Sequence, residues 1–444
     1  MKKKTMLLSV LSMLLVASGC SSNSGSSEAK GSTGATAKEE AAAPKESKTA
    51  ISTEPVTLKM YHKGGTISDE EFKNYFVEPV AKKYPNIKLE LVRDSVKGNQ
   101  PEELLSAGSF PDIIYTSNPS IPIYQDLDLI EDLNPLVKKH GLDLGRFQDV
   151  GLEMMKGYDA NKLVGLPLTM NMAALIYNKD IFDKLGVAYP KDGMSWDEAI
   201  TLGKRLTLVD NGVKYIGLDP WRVESVGSQM ILPVVDPKTN KATLDNDGWA
   251  KVLQLFKDAV DVPGYVDNGK FEYDFFKDNL AMAPMWATDL VGKLSDPNIA
   301  KQKNWDLVSV PYVKGFEGKG RNVDAHMLMI SKVSKHKDEA FAVIREVFSD
   351  EVQLAMAKAG RISPLKDEQF KKNYLAGNAN FNGKNVAALF QLTSTPLPAH
   401  SKYENQVRIT IRNAKQKLAI EKKDINTILR ELQEESNKWI ESHP

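Results

Sequence analysis

Six tryptophans, six histidines, one cysteine and 58 acidic side chains give this 444-residue chain its means to stack, to ligate or to move a proton. Most patterns that would organise them for catalysis are missing. The histidines, at positions 62, 140, 326, 336, 400 and 443, have no metal-ligand spacing, and neither His-Glu-x-x-His nor a Gly-x-Ser-x-Gly elbow occurs. A single cysteine rules out an internal disulfide, a zinc ribbon and Cys-x-x-Cys redox chemistry. The glycines at 315, 318 and 320 lack the order of a phosphate-cradling loop, which disfavours nucleotide binding. Asp245-Asn246-Asp247-Gly248 looks like part of a calcium loop, but aligning Gly248 to the turn glycine puts Thr243 and Gln254 where carboxylates should anchor the ion. It reads as a solvated turn before a helix at Trp249. No cofactor and no metal are expected. Carboxylate pairs for glycoside hydrolysis stay open without positive support, because their separation is invisible in a sequence.

The aromatics say more. Trp221 sits in the polar, turn-rich run Leu218-Asp219-Pro220-Trp221-Arg222, and Trp286 ends the apolar segment Ala283-Pro284-Met285-Trp286. A tryptophan at a strand tip is suited to stack on the apolar C–H face of a sugar, with Asp, Asn, Arg and His groups reaching its hydroxyls. Each is equally open to a core reading. Trp196, Trp249 and Trp439 lie inside helical patterns and read as core.

The ends and the charge balance bound the partners. With 58 Lys plus Arg against 58 Asp plus Glu and no long basic run after residue 4, nucleic acid is not an expected partner. Lys2 to Lys4, the apolar Met6 to Val16 and the small residues Ala17-Ser18-Gly19 before Cys20 form a secretory signal, too short to span a bilayer. It resembles a bacterial lipoprotein signal, in which the lone cysteine takes a diacylglycerol and the chain is cut before it; an ordinary signal with an incidental cysteine is the alternative. Loss of residues 1–19 removes three lysines and leaves a net charge of 55 − 58 = −3. Ser21 to Lys48 is rich in Ser, Gly, Ala, Thr, Lys and Glu and has no aromatic residue, so it reads as a flexible stalk reaching on the order of 30 Å.

Order begins near Glu54. Val56, Leu58 and Met60 alternate as a strand; Ser68 with Glu71 is a capping box ahead of Phe72, Tyr75, Phe76 and Val80; Ile87, Leu89 and Leu91 alternate again. A short helix over 101–107 stops at Gly108, and Ile113 to Tyr115 is a buried strand. Strands also fit 174–177, 307–310 and 327–330, with helices after the Ser195–Glu198 box, over 340–348 and after Asp424. Alternating strands and helices mean an α/β class, in two lobes.

Phe110-Pro111-Asp112-Ile113-Ile114, Leu163-Val164-Gly165-Leu166-Pro167 running into Ala174 to Phe182, Ser195-Trp196-Asp197-Glu198, Phe275 to Met282 and Ala359-Gly360-Arg361-Ile362-Ser363-Pro364 are, in this order, similar to the family 1 extracellular solute-binding proteins, the maltodextrin-binding-protein-like group. The resemblance implies a type II periplasmic-binding-protein fold, each lobe a mostly parallel sheet flanked by helices, closing on ligand by hinge motion. It implies residues 54–166 and 306–349 in lobe 1 and 167–305 and 350–444 in lobe 2, after a signal peptide over 1–19 and a linker over 20–53, with crossings near 164–166, 304–306 and 349. Carried over by position, the ligand residues are Tyr61 and His62 after the first strand, Ser117 and Asn118 after the third, Trp221, Trp286 and Asp289, and then Asp324, Arg361 and Tyr403. Thr116 and Pro119 depart from the aromatic and acid that sugar binders of this group often carry.

The function implied is a monomeric receptor, lipid-anchored through Cys20 to the outer face of the cell membrane. It binds a carbohydrate, in the first place an oligosaccharide, and delivers it to the permease of an ABC importer without being an enzyme. A receptor for a peptide or other polar metabolite, or a secreted glycan hydrolase, are the alternatives.

Overall fold

Alternation builds the first strand: Leu58 and Met60 point inward while Thr57 and Lys59 face solvent. The computed structural model describes residues 51–398 and 401–443. The signal segment, Cys20 and the stalk to residue 50 lie outside them. Its strands are β1 Val56–Lys63, β2 Ile87–Arg93, β3 Ile113–Ser117, β4 Leu166–Asn171, β5 Ala173–Asn178, β6 Leu208–Asp210, β7 Val213–Leu218, β8 Val235–Asp236, β9 Lys241–Ala242, β10 Leu280–Trp286, β11 Trp305–Ser309, β12 Lys319–Asn322, β13 Asp324–Ile330 and β14 Thr393–Thr395. Two five-stranded sheets result, in the orders β2-β1-β3-β13-β4 and β11-β5-β10-β7-β6, with helices packed on both.

This is the two-lobed α/β architecture that the resemblance implies, with sheets mixed rather than mostly parallel. β1 pairs in parallel with β2 and β3, and β10 with β7, whereas β13 runs antiparallel to β3 and β4, and β5 antiparallel to β10 and β11. The cause is traffic between lobes. β1, β3, β7 and β10 finish at the cleft, and β13 and β5 carry the chain back into a lobe from it, so they run the other way.

The passages between the sheets lie a few residues from where the sequence puts them. β4 pairs with β13 in the first sheet, so the first passage is Met172, not 164–166. All six β4 residues are buried, which leaves no alternation to read, and Pro167 within it imitates a loop. β11 pairs with β5 in the second sheet, so the second passage follows Ser309. The helix Asp350–Lys358 still packs on Lys337–Val347 and Lys73–Val77 of the first lobe; the later helices Glu404–Ala419 and Ile425–Glu441 pack on each other and on Asp247–Val260 of the second.

Local signals act as read. Ser68 and Glu71, and Ser195 and Glu198, form reciprocal capping boxes. Asn246 caps Asp247–Val260 by accepting the Trp249 N–H at 3.1 Å. Trp196 and Trp249 are buried, and Trp439 is partly buried beside Tyr403. The helix Trp196–Leu206 meets β7 backbone to backbone: a Cβ on Gly217 would lie 1.9 Å from the Gly203 carbonyl oxygen. No helix of the described residues is long and apolar enough to cross a membrane.

Candidate functional site

The second sheet opens where β7 stops. The Asp219 N–H donates to the Met282 carbonyl at 3.1 Å, so Met282, and by alternation Pro284, present their backbone to β7. Pro284 has no N–H to continue that ladder, and the chain turns out at Asp219. Asp219 fixes the turn: its carboxylate accepts the Trp221 N–H at 2.8 Å, the Tyr273 N–H at 3.0 Å and the Lys415 ammonium at 2.7 Å, with both charged side chains buried. Trp221 is thereby held at φ +71°, a left-handed backbone that costs a bulky residue energy. Its ring meets that of Trp286, the last residue of β10, edge to face at 5.6 Å and 78°.

Two neighbouring cavities use this pair. One, about 1040 Å³, lies within the second lobe against Trp221, Tyr273, Phe276, Pro284, Asp289 and Lys293. The other, about 690 Å³, lies between lobes: Asn118, Tyr158 and Asp324 come from the first lobe, Arg222, Glu224 and Trp286 from the second, Arg321 from β12 on the return passage, and Glu404, Arg408 and Arg412 from the helix Glu404–Ala419. Arg222 lines both.

The walls of the interlobe cavity are heavily charged. Arg412 Nε donates to Glu224 Oε1 at 2.7 Å, and Arg408 Nε to Glu404 Oε1 at 2.8 Å. Asp324 accepts from Asn171 Nδ2 at 2.9 Å, while burial raises its carboxyl above the usual range. The Arg321 guanidinium lies 3.5 Å from the Trp286 ring centre and 4.5 Å from that of Trp221. Its Nε and Nη1 are buried without an acceptor, and desolvation pushes its pKa down to about 9, which leaves it charged at neutral pH. Such a surface can stack an apolar ring face and donate to oxygens from several sides. Among the described residues no group of three or more His, Cys, Asp and Glu side chains is placed to hold a metal ion.

Of the residues singled out from the sequence, Asn118, Trp286 and Asp324 line the interlobe cavity, and Trp221 and Asp289 line its neighbour. Asn118 Oδ1 accepts the Ala325 N–H at 3.0 Å, fixing the end of β3 against the start of β13. Five others lie elsewhere. Tyr61 is fully buried among Phe110 and Tyr124 and donates to the Asn99 carbonyl at 2.8 Å, a core position. His62 faces Arg93 at 3.4 Å and Tyr115, with burial and that cation lowering its pKa. Ser117 is half-buried at the end of β3, outside both cavities. Arg361 makes a two-pronged ion pair with Glu71, both contacts 2.8 Å. Tyr403 is buried against Trp439. A strand end or loop locates such residues near the cleft, but which way each side chain turns depends on the next element packed beside it. Cys20 lies outside the described residues.

Arg222, Glu224, Arg321, Arg408 and Arg412 line the cavity without belonging to a recognisable motif. Two signals were there. Arg222 and Glu224 flank the Trp221 turn, and Glu404, Arg408 and Arg412 recur every four residues along one face of a helix.

The chain matches the model of the family described as bacterial extracellular solute-binding protein over residues 65–354. It is 22% identical over 238 residues to a binding protein of Brucella abortus (strain 2308), a match of 49% of this chain and 54% of the relative. The chain thus spans about half the length of the curated relatives it matches. Among solved structures it is similar to an ABC substrate-binding protein of Listeria monocytogenes in complex with cycloalternan, with TM-score 0.68, 17% identity and coverage of 87% of this chain and 99% of that one. The sugar-binding protein of Xanthomonas citri is alike, with TM-score 0.67, 18% identity and coverage of 87% and 98%. An open sugar transporter of Rhizobium etli gives TM-score 0.67, 23% identity and coverage of 86% and 99%. The fold is the type II periplasmic-binding-protein fold.

Proposed function

The chain belongs to the bacterial extracellular solute-binding proteins, and from that premise we propose that it is the carbohydrate receptor of an ABC importer, holding its sugar between the lobes and presenting the closed form to a membrane permease. The observation that carries this is Trp286 at the wall of an interlobe cavity lined by Asn, Asp, Glu and Arg side chains, with Trp221 packed against it from the neighbouring cavity. Apolar platforms beside convergent hydrogen-bonders are what a polyhydroxylated ring requires. Solved relatives that hold cycloalternan or mannotriose support the same reading. Binding shifts an open–closed population and breaks no bond, so the proposed role is that of a receptor and not of an enzyme. Residues on the first and second lobes and the passage between them share one cavity, which is the geometry such a closure needs.

The test is a melting-temperature scan of the purified protein against mono- and oligosaccharides, with peptides as controls. A ligand at 100 times its dissociation constant stabilises by about 2.7 kcal/mol. The expected result is a shift with one sugar class, the sugar recovered intact, and loss of the shift in Trp286→Ala. Shifts with peptides alone would replace the substrate, and recovery of cleaved sugar would overturn the receptor role. We further propose a lipid anchor on Cys20, supported by the small residues before it and the stalk after it. Cys20→Ala should then leave the membrane fraction; retention there would refute the anchor.

A further inference from the structure

The interlobe cavity has more positive charge than its own carboxylates answer. Arg408 and Arg412 are paired with Glu404 and Glu224. Arg321 and Arg222 make no ion pair among the described residues; Glu224 and Asp324 act on Arg321, and Asp289 on Arg222, only at longer range, and the wall sets four arginines against the three carboxylates Glu224, Asp324 and Glu404. Arg222 lies at the cavity mouth, 5.6 Å from the Trp221 ring, and Arg321 lies deeper, on the faces of both tryptophans. The Nε and Nη1 of Arg321 are buried and donate to nothing. A buried guanidinium with open N–H groups is costly unless something arrives to meet it.

We infer that the natural cargo is an acidic saccharide whose uronic acid carboxylate pairs with Arg321 in the cleft, with Arg222 adding a second positive charge at its mouth. This rests on the carbohydrate reading above and narrows it. A carboxylate brings the full negative charge that this cation lacks and can accept two N–H groups on an edge that includes Nη2, whereas sugar hydroxyls offer acceptors without the charge. The location adds a second reason. At 3.5 Å the Arg321 guanidinium occupies the face of Trp286 on which a sugar ring would stack. A carboxylate that draws the guanidinium to itself clears that face for the ring carrying it, so the ion pair and the stack form together. Lobe closure then excludes water around the pair and strengthens it, whereas a neutral sugar would supply hydroxyl acceptors but no counter-charge to the enclosed cation.

The experiment is calorimetric titration of the full chain with oligosaccharides of galacturonate, glucuronate, mannuronate and guluronate, each beside its carboxyl-reduced neutral counterpart. One acidic member should bind, with its reduced form weaker by roughly a hundredfold and with affinity falling as salt is raised. Arg321→Gln should cost the acidic ligand a similar factor, and Arg321→Lys, which keeps the charge but not the fork, an intermediate one. Melting curves of both variants without ligand check that each is folded, and the Lys variant carries the comparison if the Gln variant is not. If a neutral sugar binds as tightly as its acidic form, or Arg321→Gln leaves the acidic affinity unchanged, the inference is overturned while the carbohydrate receptor stands. If no saccharide of either kind binds, both fall.

Discussion

Lys415 and Asp219 give the most direct access to how the fold holds the site. Their contact is 2.7 Å, with side chains 5% and 7% exposed, and Asp219 also accepts two backbone N–H groups, from Trp221 and Tyr273. Lys415→Met keeps most of the stem's volume and removes the ammonium, leaving a buried carboxylate with those two N–H groups. Breaking one side of a buried pair costs roughly 3–5 kcal/mol. The two retained N–H bonds argue for the lower end, about 3 kcal/mol, which in a lobe-sized cooperative unit is roughly 6–12 °C of melting temperature. Asp219→Asn alone should cost a similar amount by stranding the ammonium. The double variant should then be more stable than the sum of the singles by at least about 1.5 kcal/mol, the coupling expected of groups in contact. Urea unfolding of the four proteins in the cycle measures it. Additive losses would refute the claim that this pair, and not merely local packing, holds the Trp221 turn at its positive φ. Ligand affinity should show the same non-additivity, with the double variant losing less than the two singles together, because the turn carries the platform.

Two further outcomes follow from the fold. Gly217→Ala should lower stability by about 3 kcal/mol or more, since the new Cβ would lie 1.9 Å from the Gly203 carbonyl and can be accommodated only by lifting Trp196–Leu206 off β7; a melting temperature within a degree of the parent would refute that contact. His326 is buried with its ring nitrogen 2.9 Å from the Tyr115 hydroxyl, and burial first, then the charges of Arg361 and His62, lower its pKa to about 3. The unfolded chain takes up that proton near pH 6.5, so stability is whole above that value and falls as the pH drops from there toward 3, by about 1.4 kcal/mol per unit. His62, also lowered, acts in the same direction. In His326→Gln the slope should flatten, and an unchanged slope would remove His326 as its source.

The sequence by itself determined the local structure and the class of the molecule. The alternation in β1, the two capping boxes and the turn-rich run before Trp221 are interactions among near neighbours, so residue type and spacing suffice to read them. The placement of Trp221 and Trp286 at the ends of apolar strands was legible for the same reason, Trp221 in the turn after β7 and Trp286 where β10 passes into the helix Ala287–Leu294. Tertiary structure decided the rest. Arg321 is one more basic residue of the short strand β12 until the passage between lobes lays it over both tryptophans, and Arg408 and Arg412 enter the cavity only because their helix, Glu404–Ala419, packs beside Val223–Gln229 from far along the chain. Tyr61, His62 and Arg361 show the converse. They sit at strand ends or in loops as expected, yet their partners, Asn99, Arg93 and Glu71, are 38, 31 and 290 residues away and turn the side chains elsewhere. β4 is not legible in the sequence because a strand buried on both faces has no alternating pattern. Position along a chain follows from short-range rules, whereas the direction a side chain takes follows from whichever distant element folds back against it, and the charge balance of the cleft is a property of that second kind.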